Sequence, residues 1–356
     1  MNRPGAVIRV LIVDDSALAR ELIRCLLSED PSLRVVGEAA NGCQAVAMVA
    51  ELKPDIVTMD IEMPVMGGLD AIGRIMAQTP VPILVLTAQG DAFTAFSAMS
   101  RGALDVVEKP DISQAGGSEL LSRLRLLSGV HVARRTANAV AARAGLPSAA
   151  APAGAGDAGR MVAIAASTGG PQAISAILSQ LPKGFAAPIL VTQHIADGFA
   201  QGMAEWLNKV TPLRVGVARD GDRVAAGRVY INPSEFSMRV TRQGVLVLTG
   251  RESGEIYHPP CNTLLCSVAE SYRERAVGLI LSGMGDDGAR GMQAIRTVGG
   301  VTLAQDEKSS LIYGMNRLAV ERGSVERSLA LADIAGELLR LVSGKLEAGC
   351  EIPRLA

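Results

Sequence analysis

The sequence predicts two doubly wound α/β domains, each built on a parallel sheet, joined by a linker. Three observations predict it. Short apolar runs alternate with helix-period segments from Val7 to about residue 125, the composition breaks between Arg134 and Gly159, and the strand–turn–helix rhythm resumes at Met161. Such alternation buries both faces of a parallel sheet under helices. A chain of 356 residues also exceeds the roughly 100–200 residues usual for one domain.

In the first half the expected strands are Val7 to Val13, Val35 to Glu38, Ile56 to Met59, Ile83 to Thr87 and Val106 to Val107. The segment Ser16 to Ser28 reads as a helix with Leu18, Leu22, Leu26 and Leu27 near one face, and Ala45 to Leu52 repeats the pattern more weakly. The Ala, Gly, Pro and Arg of the central stretch supply too few large apolar side chains for a core, so it reads as a flexible tether. Beyond it the expected strands are Met161 to Ala165, Ile189 to Thr192, Arg228 to Ile231, Val245 to Leu248, Val277 to Leu281 and Gly300 to Ala304. The resulting boundaries are 1–125, a linker over 126–159, and 160–350.

Composition narrows the function classes. Lys and Arg number 35 against 36 Asp and Glu, so no whole-chain field draws the protein to nucleic acid or an anionic membrane. The five cysteines, Cys25, Cys43, Cys261, Cys266 and Cys350, are odd in number and lack C-x-x-C spacing, which argues against a disulfide framework or a zinc site. The paired acids Asp14 and Asp15 follow only a short apolar stretch, and no run of about 18 apolar residues occurs, so the expectation is a cytoplasmic protein with no membrane insertion.

Three carboxylates stand at the expected carboxyl ends of strands: Asp14 and Asp15 after the first, Asp60 after the third. The ligand crevice of an open parallel sheet lies outside those ends. Like charges gathered there need a cation, and hard oxygen donors suit Mg2+. A metal beside Asp60 would screen an incoming phosphoryl group and let the carboxylate act as nucleophile. Thr87 and Lys109, at the ends of the fourth and fifth strands, would offer a hydroxyl and a cation to its oxygens.

With VDDS at 13–16, MDIEMPVMGG at 59–68, LTA at 86–88 and EKP at 108–110, this half resembles the receiver domain of two-component response regulators. The resemblance implies a flavodoxin-like fold and Asp60 as phospho-acceptor. It also implies Mg2+ held by Asp14, Asp15, Asp60 and the Glu62 backbone, Thr87 as switch and Lys109 as phosphate partner. A cis bond before Pro110 is a further implication.

The second half offers a nucleophile. MVAIAASTGGPQAI runs a buried strand into Ser167, then Gly169, Gly170 and Pro171, a strand-to-helix turn whose N–H groups can stabilise negative charge. Serine needs a base, and the chain has three histidines. His131 borders the linker, His258 sits in a loop, and His194 directly follows a strand, which makes it the preferred base. SGMGDDGARG after the strand Val277 to Leu281 supplies Asp286 and Asp287 as candidate orienting acids. A glycine-lined phosphate cradle is the competing use of S-T-G-G, yet G-x-x-x-x-G-K-[ST] is absent and S-T-G-G does not itself form part of a G-x-G-x-x-G run.

The segments AASTGGP, VTQHIADGF, LSGMGDDGARGM and TLAQDEKSSLIYGM resemble the catalytic domain of the chemotaxis protein-glutamate methylesterases, a Rossmann-like fold, from residue 160 to about 345. That resemblance implies Ser167 as nucleophile, His194 as base and Asp287 as acid, because the pattern G-M-G-x-D-G puts its acid at the fifth place. Thr168 and Met284 are implied beside the oxyanion. The implied activity is hydrolysis of glutamyl γ-methyl esters, and deamidation of certain glutamines, on methyl-accepting chemoreceptors. A sensor histidine kinase of the chemotaxis type would phosphorylate Asp60, and the esterase itself would need no cofactor. An unphosphorylated receiver would pack over the esterase entrance.

Three segments depart from the family pattern: INPSEFSM at 231–238, HPPCNTLL at 258–265 in place of P-S-V-D, and Asn316 where proline is usual. A transcriptional regulator would need a basic recognition helix, which residues 161–345 do not suggest. A noncatalytic scaffold on the same fold is the other rival, distinguishable with an active-site serine probe.

Overall fold

The computed structural model describes residues 7–87, 92–109, 114–132, 159–251 and 257–343. The expected linker core, Pro110 and Cys350 lie outside them. The first half runs β1 (Ile8–Val13), α1 (Ala17–Ser28), β2 (Leu33–Ala39), α2 (Gly42–Leu52), β3 (Ile56–Asp60), α3 (Gly68–Gln78), β4 (Ile83–Thr87), α4 (Ala92–Arg101), β5 (Asp105–Glu108) and α5 (Gln114–Leu127). Its strands form one parallel sheet in the order β2-β1-β3-β4-β5. The order reverses beside β1, so the crevice between the ends of β1 and β3 is where a ligand fits.

The second half runs β6 (Met161–Ala166), α6 (Gly170–Leu178), β7 (Ile189–Gln193), α7 (Phe199–Val210), β8 (Arg214–Val217), β9 (Arg228–Ile231), β10 (Phe236–Val240), β11 (Leu246–Gly250), α8 (Cys261–Tyr272), β12 (Ala276–Ile280), α9 (Ala289–Thr297), β13 (Val301–Gln305), α10 (Met315–Glu321), β14 (Arg327–Leu329) and α11 (Leu331–Ser343). Seven strands form a parallel sheet, β14-β13-β12-β6-β7-β9-β8. Every residue of β6 and β12 is buried, the signature of strands covered on both faces.

Two expectations are corrected. Leu246–Gly250 does not extend the parallel sheet: it pairs antiparallel with Phe236–Val240 as a separate hairpin. On α1, Ile23 and Leu27 are the buried residues while Leu18 is 80% exposed. At 3.6 residues per turn Leu18 lies well round the helix from Ile23, so its apolar side chain does not share the core stripe. Ser16 does start this helix, its hydroxyl accepting the Ala19 N–H at 3.3 Å.

The halves pack through α4 and α7. Ala92, Phe96 and Met99 of α4 join the core that holds Phe199, Met203 and Trp206 of α7. The Phe96 and Trp206 rings stack with centroids 5.9 Å apart, and Trp206 Nε1 donates to Ser100 Oγ at 3.3 Å. Gly202 makes this possible. A methyl group there would lie 2.5 Å from Ala92 Cβ and 2.6 Å from the Phe93 backbone nitrogen, so a glycine is kept in mid-helix despite a helix-propensity cost of about 1 kcal/mol.

Candidate active site

Three adjacent strands deliver the candidate residues. Ser167 follows β6, the strand at which the order reverses; His194 follows its neighbour β7, and Asp287 sits in the loop after its other neighbour, β12. Parallel register holds the three ends level, with Ala165 opposite both Thr192 and Ile280. Two backbone bonds then fix the turns: Ser167 N–H to the Ser282 carbonyl and His194 N–H to the Ala166 carbonyl, each 3.0 Å.

His194 Nε2 lies 2.8 Å from Asp287 Oδ2. Asp287 also accepts the backbone N–H groups of Cys261 at 2.6 Å and Asn262 at 2.9 Å, so the N-terminus of α8 solvates a carboxylate that water hardly reaches. Burial alone would raise its pKa, but the bond and charge of His194 and those two N–H groups outweigh it and hold the carboxyl below its ordinary value. Asp286, the alternative acid, is half exposed and pairs with Arg322 at 3.2 Å instead. With Nε2 turned toward Asp287, the imidazole leaves Nδ1 for a proton from elsewhere. Among the described residues, no hydrogen bond joins Ser167 to His194 in this conformation, a looseness common where no substrate is bound.

Gly169, at φ +78°, lets the chain turn from β6 into α6, with Pro171 following in the first turn of the helix. The turn leaves Ser167 at the helix end whose N–H groups point outward. Ser167 and Thr168 are buried, whereas Met284 is 46% exposed. All three border one cleft of about 820 Å³ with His194, Tyr257 and His258.

Several participants escape a reading by strand ends. Tyr257 stacks on the His194 ring at 5.2 Å and 11°. Gln193 Nε2 donates to the Ser167 and His194 carbonyls at 2.8 and 2.9 Å, tying the two turns together. Cys261 packs its sulfur 3.4 Å from His194 Nε2; burial, then Asp287, pushes this thiol well above its ordinary pKa, so it is no rival nucleophile. Asn316, a family departure, is buried and donates to the Gln305 carbonyl at 2.9 Å and Ser310 Oγ at 2.7 Å, a local stitch that leaves the cleft residues in place.

The first half reaches into the same cleft. Glu108, Ser118, Glu119, Ser122 and Arg123 line its outer wall. Arg123 donates to Thr168 Oγ1 at 2.5 Å and is paired with Asp105 and Glu119. Burial raises the Asp105 carboxyl even though Arg123 pulls it down, while Arg123 itself is held above its ordinary value.

At the β1–β3 crevice, Asp14, Asp15 and Asp60 each present an oxygen within 4.8 Å of the other two. Lys109 Nζ sits 2.8 Å from Asp14 and 2.9 Å from Asp60. Burial raises the Asp60 carboxyl, Lys109 lowers it, and Asp14 raises it again. Thr87 is buried at the end of β4 and its carbonyl accepts the Lys109 N–H at 2.9 Å; Glu62 is exposed in the loop after β3. Three hard oxygen donors around excess negative charge fit Mg2+. Replacing Lys109 with alanine leaves two buried acids facing each other. We expect a loss of about 2 kcal/mol in unfolding free energy, partly restored by millimolar Mg2+; denaturant titrations with and without the ion read both.

A model of the CheB methylesterase family matches residues 162–338, and a response regulator receiver domain model matches residues 10–137. The protein-glutamate methylesterase/protein-glutamine glutaminase 3 of Paramagnetospirillum magneticum is 48% identical over 349 residues, covering 96% of this chain and 98% of its own. The second such enzyme of Anaeromyxobacter dehalogenans is 45% identical, covering 94% and 97%. The crystal structure of the Thermotoga maritima CheB methylesterase catalytic domain aligns at 34% identity with a TM-score of 0.51, over 52% of this chain and 99% of that one.

Proposed function

Because the chain belongs to the CheB methylesterase family, a receiver domain preceding a methylesterase domain, we propose that it is a phosphorylation-activated hydrolase that works through Ser167, His194 and Asp287. It acts as a protein-glutamate methylesterase and protein-glutamine glutaminase in chemotaxis. The carrying observation is the His194–Asp287 bond of 2.8 Å at the neighbouring strand ends to Ser167, in one cleft.

His194 takes the Ser167 proton as the hydroxyl oxygen attacks the glutamyl γ-carbonyl. Asp287, ionised throughout the neutral range, holds the imidazole and stabilises the imidazolium. N–H groups at the start of α6 face the developing oxyanion, with Thr168 and Met284 beside it. Methanol leaves with the proton returned by His194, and a water deprotonated by the same ring hydrolyses the acyl-serine to a carboxylate. A glutamine side chain follows the same course, with ammonia leaving. The substrates are methyl-accepting chemoreceptors, and the product charge alters their signalling balance.

Asp60 is the phospho-acceptor for a chemotaxis-type histidine kinase, in a cytoplasmic setting. Asp14, Asp15, Asp60 and the Glu62 backbone would hold Mg2+, which would supply charge neutralisation for phosphoryl transfer; Lys109 and Thr87 face the phosphoryl oxygens. Arg123 and its neighbours narrow the cleft in the conformation described, so activation requires the receiver to move aside. In methanol-release assays on methylated receptor membranes, Asp60→Asn is expected to keep basal hydrolysis and lose stimulation by a phosphodonor. Persistent stimulation would overturn the coupling.

The α4–α7 contact sets the closed state. Gly202→Val forces a side chain against Ala92 and Phe93, and the expected result is phosphodonor-independent activity between about 5- and 150-fold above the native basal rate, the range of a coupling of about 1–3 kcal/mol. An unchanged basal rate in a folded variant would place the restraint elsewhere.

A further inference from the structure

The mechanism leaves the Cys261 side chain unused, although it is fully buried against the His194–Asp287 pair. Its sulfur is 3.4 Å from His194 Nε2, which is 2.8 Å from Asp287 Oδ2, and one ligand atom from each of the three residues lies within 4.8 Å of the others. Imidazole nitrogen, thiolate sulfur and carboxylate oxygen are zinc donors. With bonds of about 2.0–2.3 Å in a tetrahedron, nitrogen and sulfur ligands sit roughly 3.5 Å apart, close to the spacing found here. The nitrogen and oxygen need to separate by only about half an ångström from their hydrogen-bonded distance.

We propose that His194, Cys261 and Asp287 form an inhibitory site for a zinc-class divalent cation. The proposal rests on the reading of His194 as general base. Binding needs the Nε2 lone pair, so the ring proton moves to Nδ1 and the thiol proton goes to solvent as the sulfur–metal bond forms. A ring protonated at Nδ1 and metallated at Nε2 cannot accept the Ser167 proton, and hydrolysis stops. Asp287 Oδ1 keeps its bond from the Asn262 N–H, so the carboxylate stays oriented. Mg2+, a hard cation that prefers oxygen ligands, does not compete for this set.

The test uses the full-length chain with phosphodonor and Mg2+ present, methanol release measured at buffered free Zn2+, and Co2+ as a spectroscopic probe. The native rate is expected to fall at least tenfold at a Zn2+ level where Cys261→Val keeps most of its own zinc-free rate. Co2+ should give a near-ultraviolet thiolate charge-transfer band in the native chain and none in Cys261→Val. Cys261→Ser, which retains a small polar side chain, serves the same comparison should the valine variant not fold. Equal zinc sensitivity of native and variant, or no cobalt band in the native chain, overturns the site; if turnover still requires His194, the triad stands. A cobalt band without any inhibition by Zn2+ overturns the inhibitory role, because the band reports the thiolate bond alone and the role of His194 is read separately from whether turnover requires it.

Discussion

Ser167→Ala is expected to reduce methanol release from methylated receptors by a factor on the order of 10⁶, the scale seen when a serine nucleophile is removed from a triad that acts as a unit. The residue lies at the β6–α6 turn, behind Gly169 at φ +78° and ahead of a helix whose free N–H groups can receive an oxyanion. Alanine fits the same backbone, so folding should be intact by denaturant titration while turnover is lost. Activity retained within tenfold of native would remove Ser167 from the chemistry.

Asp287→Asn is expected to cost about 10⁴-fold in kcat, because an amide opposite Nε2 favours the wrong imidazole tautomer without moving the ring. The same substitution alters the acid limb of stability. The native carboxyl lies below its ordinary value, so its contribution is fully present above the unfolded carboxylate pKa and is lost as pH falls through the depressed folded value. Asp287→Asn removes that contribution, and its stability should vary less across the acid range in denaturant titrations at stepped pH. Comparable pH dependence in both chains would mean that Asp287 is not held as described.

Much of this arrangement is legible in the sequence because strand ends are. Apolar runs such as Met161 to Ala165 and Ile189 to Thr192 announce parallel strands, and polar residues that follow them directly must emerge at one sheet edge. That logic finds Ser167, His194, Asp14 and Asp60. It leaves Asp286 and Asp287 equivalent; only the family pattern separates them in sequence, and in three dimensions the ion pair of Asp286 with Arg322 does. Short strands such as Arg214–Val217, Phe236–Val240 and Arg327–Leu329 carry too little period-2 signal to stand out, and sheet pairing defines them instead. The hairpin of β10 and β11 is opaque for a related reason: a single apolar run does not reveal whether its partner is parallel or antiparallel. Tyr257 on His194, Gln193 between two turns, and Arg123 on Thr168 are contacts across elements or domains, set by packing that no local pattern encodes.

Whether His194 and Asp287 act as one device is answered most directly by a double-mutant cycle in methanol release with His194→Gln, Asp287→Asn and the pair combined. If Asp287 works only through the imidazole, the double variant hydrolyses no more slowly than His194→Gln alone, and the two losses do not multiply. A further fall of several orders of magnitude in the double variant would contradict that account, since it would give the carboxylate a task independent of the ring beside it.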